Sequence, residues 1–216
     1  MTSIDDAAAG PRPSDRVQDP PGAQPAPREV PALRLSGAEL AVLLALRDTR
    51  AADISRQGLG ISIEPGSDGR NSLADRGLWQ VRHGIELPAA QAIAVGDTLT
   101  AAMCWLRIGT PDAAAATIVI GPEHTLLLAA LGDGAQEIAT LRVDADIAGV
   151  TAGICDHLTS MMETDAQVHV HVVGLPATGT PSERVIPATD HRSGDDDAAP
   201  ALAARLREAI SEAIGR

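Results

Sequence analysis

The pattern of apolar and polar positions is clearest between Ala113 and Asp144, AAAATIVIGPEHTLLLAALGDGAQEIATLRVD. Three apolar runs are broken by Gly121-Pro122-Glu123 and by Gly132-Asp133-Gly134. Glycines in such short connections supply the positive φ that tight hairpins need. Runs rich in Ile, Val and Leu, joined this closely, predict an antiparallel β-meander. In the third arm Ile138, Thr140, Arg142 and Asp144 point one way, and Ala139, Leu141 and Val143 the other. One face of the sheet is therefore expected to be buried, and the other wet or covered by a partner.

The rest of the chain is read around this meander. Residues 1–31 hold seven of the fifteen prolines and almost no large apolar residue, which predicts disorder. From residue 32, Ser36 and Glu39 have capping-box spacing, flanked by Leu35 and Leu40 as a hydrophobic staple. The helix they open carries Leu40, Leu43 and Leu44 and should end near Arg47 to Arg50. Leu59, Ile61 and Ile63 alternate as in a short strand. Asn71-Ser72 then offers the N-cap of a short helix that ends at Arg76-Gly77-Leu78. Pro88 is placed to open a helix running to about Arg107, since proline is tolerated at a first helical position. A further helix is expected over 147–162, and a strand over 167–173, where Val168, Val170 and Val172 alternate with His169 and His171. Residues 175–197 read as a flexible acidic linker. Leu202, Leu206, Ile210 and Ile214 then mark one seam of an amphipathic helix over 198–216. The sum is an α+β domain over 32–174, an antiparallel meander packed against helices, with a disordered N-terminus and a tethered C-terminal helix.

Composition narrows the function classes. All 17 basic residues are arginine, against 29 acidic ones, for a formal net charge of −12. Such a surface repels phosphate backbones, and the chain has no Tyr or Phe for a base-stacking platform, so no nucleic acid is expected. No apolar run approaches the ~20 residues of a membrane span, and residues 1–31 lack the apolar core of a secretory signal. Cys104 and Cys155 lie in apolar segments that read as helical, which fits buried, reduced thiols and a cytoplasmic protein. The Arg, Ala, Gly and Asp bias is that of a GC-rich genome, such as an actinobacterium's.

Candidate chemistry is sparse. His169 and His171 share one strand face, and Cys155 and His157 lie nearby in sequence, a potential set of metal ligands. Helical residues two apart diverge, however, and an exposed strand face accounts for the histidines, so no metal or other cofactor is expected. Gly132-Asp133-Gly134 sits between strands and does not open a helix, which makes it a hairpin and not a phosphate loop. No nucleophile elbow, catalytic triad context or Walker motif is present, and no catalytic residue is assigned. Trp79 and Trp105 are the only large aromatics. Trp79, beside Gln80, Arg82 and His83, is the better placed for an interface. The partner-binding candidates are Trp79, then Leu126 and Leu128 on the meander, then Leu202, Leu206 and Ile210 on the terminal helix. That helix has three destinations: the body of its own chain, its copy in a dimer, or a partner.

The run from Leu35 to Leu43, then Ser72-Leu73-Ala74-Asp75-Arg76-Gly77-Leu78, then a Pro-led helix and a meander, resembles one half of the EspG-like chaperones of actinobacterial ESX (type VII) secretion. Ser72, Leu73, Arg76, Gly77 and Leu78 match the family's S-L-x-x-R-G-L pattern, and the likeness extends over about 33–162. It implies a cytosolic, non-enzymatic chaperone or adaptor that binds helical secretion substrates through exposed sheet and helix surfaces. The family carries two similar halves where this chain carries one, and a homodimer would restore the second. The alternative class is a small-ligand-binding or regulatory α+β domain with no secretion role, which requires a closed pocket.

Overall fold

The computed structural model describes residues 32–110, 113–141, 152–153, 168–176, 180–187 and 198–215. The elements are β1 (Leu33–Leu35), α1 (Gly37–Leu44), α2 (Arg50–Gly58), α3 (Ser67–Asp75), β2 (Trp79–Arg82), β3 (Ile85–Pro88), α4 (Ala90–Thr100), β4 (Cys104–Thr110), β5 (Ala113–Ile120), β6 (Thr125–Ala130), β7 (Gln136–Leu141), β8 (His169–Gly174), β9 (Ser182–Pro187) and α5 (Ala198–Ala213). Seven strands form one antiparallel sheet in the order β1-β7-β6-β5-β4-β8-β9, and β2 pairs with β3 in a separate ribbon. This is the α+β architecture that the pattern predicts.

The meander is β5-β6-β7, with turns at the anticipated places. Leu131 and Ala135 close the second turn around Gly134 at φ +78°, and Asp133 accepts the Ala135 N–H. Val168, Val170 and Val172 place β8 in the same sheet, beside β4. Alternation then divides the side chains between two cores. Ile138, Leu126, Leu128, Val119, Trp105 and Val173 face the layer built by α1 to α4. Leu106, Ile108, Ile118, Val170, Val172 and Ile186 face the other way, onto Leu202, Leu206 and Ile210 of α5. The second face, expected to be wet or partner-covered, is thus packed by the chain's own last helix across β4, β8 and β9. A Cβ on Gly174 would lie 2.6 Å from the Ala213 Cα, so the helix rests directly on the strand there.

Several expected elements are corrected. The 59–63 segment is a connection, preceded by an unforeseen helix, α2, whose N-cap Thr49 accepts the Ala52 N–H. Its short buried stripe is Ala51, Ala52 and Ser55, too weakly apolar to announce itself. α3 begins at Ser67 and not at Ser72, with no side-chain cap at Gly66, and ends as expected before Gly77 at φ +70°. The supposed 88–107 helix is three elements. Pro88 ends β3, α4 covers only Ala90–Thr100, and Cys104 to Thr110 is a strand, so Cys104 is not helical. Thr98 and Thr100 turn their hydroxyls back onto the carbonyls of Ala94 and Gly96, which fits a helix near its end. His83 (φ +52°) and Gly84 (φ +77°) form the two-residue turn joining β2 to β3. Residues 182–187, inside the supposed linker, form the edge strand β9. The disordered N-terminus, most of the 147–162 helix, Cys155 and His157 fall outside the described residues.

Candidate functional site

Two polar devices fix the helices on the first face. Glu39 is 2% exposed, although it is a carboxylate. Its capping box is complete: the Ser36 N–H donates to its Oε2 (2.7 Å), and its own N–H donates to Ser36 Oγ (3.2 Å). Ser72 Oγ–H donates to Oε1 (2.9 Å), and Arg76 Nη1 donates to Oε1 and Oε2 (2.8 and 3.0 Å). Arg76 Nη2 also reaches the Arg34 carbonyl, tying α3 to β1 (2.7 Å). Burial pushes the Glu39 carboxyl up, but these bonds and the Arg76 charge outweigh it and hold it below the usual carboxylate range. Leu73 is wholly buried, Gly77 turns the chain, and the Leu78 N–H returns to the Leu73 carbonyl (2.8 Å). Every residue of the S-L-x-x-R-G-L pattern therefore clamps α3 to α1 or ends α3.

The second device positions α2. Trp105 Nε1–H donates to Ser55 Oγ (2.9 Å), Ser55 Oγ–H donates to the Leu99 carbonyl (2.8 Å), and Thr49 Oγ1–H donates to the Thr100 carbonyl (2.6 Å). α2 is thereby pinned to α4 and β4, at the rim of the helix layer.

Two features project from this frame. The β2-β3 ribbon carries Val81 and Ile85, 67% and 66% exposed, one on each face beside the His83-Gly84 turn. Its base is held by Trp79, which packs on the first core under Arg70, whose guanidinium carbon is 5.6 Å from the ring centre. Arg70 in turn pairs with Glu86 across the base (3.2 Å).

The other feature lies where the helix layer stops. Along one row of paired residues the side chains change from Ile138 and Leu128, through Thr117, to Arg107, His171 and Val185. His169 follows on the same face, beside Gly109. Arg107 Nε and His169 Nδ1 are shielded from solvent and have no hydrogen-bond partner, and His171 Nε2 lies 3.5 Å from Glu183. Among the described residues no group of three potential ligands could hold a metal ion.

The predicted partner-binding residues do not come together on any surface. Leu126 and Leu128 are fully buried beneath the first helix layer. Leu202, Leu206 and Ile210 are at most 3% exposed, docked on the second face of their own sheet. A side chain sealed within its own chain offers no contact to another molecule, so these five are corrected to core residues. Trp79 is half-buried and anchors a ribbon whose exposed apolar tip, Val81 and Ile85, sequence reasoning missed. The His83-Gly84 pair between two short alternating runs was the available signal. Among the described residues no helix is long and apolar enough to cross a membrane. No protein-family model matches the chain, and no curated protein matches it.

Proposed function

We propose that the chain is a non-enzymatic protein-binding module of the cytoplasm, a chaperone or adaptor similar to the EspG-like proteins of type VII secretion, working as a homodimer on a helical protein partner. The observation that carries this reading is the β2-β3 ribbon. A two-stranded ribbon alone is marginal in water. Here it is anchored by Trp79 yet leaves Val81 and Ile85 in solvent, where each forfeits roughly 1.5–3 kcal/mol of burial that a partner could recover. Large apolar side chains held out in solvent on an anchored ribbon suit insertion between the helices of a partner. The pattern that prompted the resemblance also has a physical role, since Ser72, Arg76 and Gly77 build the α1-α3 frame from which the ribbon projects.

The test is co-expression with helical-hairpin secretion substrates encoded in the same genome, followed by size-exclusion chromatography with light scattering. A stable complex that Val81→Asp with Ile85→Asp abolishes, at unchanged melting temperature, supports the reading. Failure of every such substrate to co-elute, or a complex indifferent to the double variant, rejects it. The same instrument reads the free protein. A mass of 22.2 kDa in place of twice that value rejects the homodimer.

A further inference from the structure

The row that leaves the helix layer ends in a recess of about 280 Å³ lined by Arg107, Gly109, Thr110, His169, His171 and Val185. Its described wall carries no carboxylate, in a protein of formal charge −12. Arg107 and His171 are direct partners across β4 and β8, about 5 Å apart by strand spacing, and His169 lies about 7 Å further along the same face. Three side chains that can each present N–H donors thus converge on a volume suited to one small polar group.

Among the described residues the bonding of this cluster is incomplete. Arg107 makes no ion pair among the described residues, and neither its Nε nor His169 Nδ1 has a hydrogen-bond partner. Buried polar atoms are nearly always satisfied, and one left unmade costs roughly 1–3 kcal/mol. Asp53 and Glu183 share the adjoining hollow with Arg107 and His171, Glu183 3.5 Å from His171, and neither acid lines the recess itself. The C-terminal end of α2 runs near the arginine's stem: a Cβ built on Gly58 would lie 4.0 Å from the Arg107 Cδ. α2 is itself locked through Ser55 and Thr49. A planar guanidinium flanked by two imidazoles on one sheet face is suited to the paired oxygens of a carboxylate or phosphate.

We propose that this recess is an oxyanion-binding site, with Arg107 as the charged fork and His169 and His171 as flanking donors. It takes a small carboxylate or phosphate group. The assignment is independent of the ribbon and of the protein-binding reading.

The full-length protein, labelled at histidine, is titrated with inorganic phosphate and separately with acetate at constant pH and ionic strength, following the ring signals by NMR. His169→Gln and His171→Gln spectra assign the two rings. The expected result is saturable shifts of both rings with at least one probe, the tighter probe naming the ligand class, and affinity weakened about tenfold or more in Arg107→Gln. Arg107→Lys keeps the charge but loses the fork, so it should fall between, and it serves if the glutamine variant melts early. Rings unmoved by both probes, or an affinity unchanged in both Arg107 variants, overturn the assignment.

Discussion

Arg76→Ala tests whether the buried carboxylate of Glu39 organises the α1-α3 frame. The substitution deletes the two bonds from Nη1 to Glu39 and the one from Nη2 to the Arg34 carbonyl. It leaves a 2%-exposed carboxylate with only Ser36 and Ser72 as donors. Removing one partner of a fully buried ion pair costs about 3–5 kcal/mol. Arg76 itself is 39% exposed, so water replaces part of what is lost, and about 2–3 kcal/mol is the better expectation. For a chain of this size that is roughly a 5–10 °C fall in melting temperature. Urea unfolding of wild type, Arg76→Ala, Glu39→Gln and the double variant should give a coupling of at least about 1 kcal/mol. The pH dependence supplies the sign. The folded Glu39 carboxyl lies below its ordinary 4.5, so its stabilisation is fully present above that value and lost as pH falls through the folded pKa. Since Arg76 supplies part of that depression, the gap between wild type and Arg76→Ala should narrow on acidification below about 4.5. Additive single effects, or a gap that stays constant into acid, would refute the reasoning.

Three further outcomes follow from close packing and burial. Gly69→Ala would bring a methyl within 2.3 Å of the Ala38 carbonyl oxygen, so α3 must back away from α1. Chemical denaturation should show a loss of about 1–3 kcal/mol. Gly174→Ala presses a methyl onto Ala213 at 2.7 Å and should lift the end of α5, read as faster amide exchange at Ile210 and Ala213 with the first core unaffected. Cys104 is sealed in the second core and burial pushes its thiol up to about 12, so in a Cys155→Ser background it should resist iodoacetamide at pH 8.5 until urea unfolds the chain. The folded thiol holds its proton above the usual 9.0, so its contribution is intact below that pH and declines between about 9 and 12. Alkylation of the native protein at the unfolded rate would overturn this.

What the sequence disclosed, and what it hid, divides along physical lines. The capping box at Ser36 and Glu39, the meander with its two turns, the Gly77 stop and the β8 alternation are local. Each needs only the period of its side chains or the φ of one glycine, and each is in place. The helix expected over 88–107 failed because alanine, threonine and leucine there serve helix and strand alike, so it concealed the end of β3, α4 and the start of β4. β9 was hidden because Ser182 to Val185 are all exposed, so no buried alternation announces the strand. The proposed anion recess is nonlocal. Arg107 is separated from His169 and His171 by the whole meander, and only the β4-β8 register brings them onto one wall.

The same distinction bears on the residues that suggested a family. Ser72, Arg76 and Glu39 are drawn together by a carboxylate that could have been solvated at no cost and is instead enclosed by three donor groups. A buried charge held this way gives little net stability relative to an apolar replacement; its donors come from both α3 and the α1 cap. α3 ends at Asp75, and the chain turns at Gly77 before entering the ribbon at Trp79. The motif residues thus belong to the frame beside the ribbon. The resemblance and the proposed interface accordingly concern different residues: one set fixes a geometry, and the other uses it.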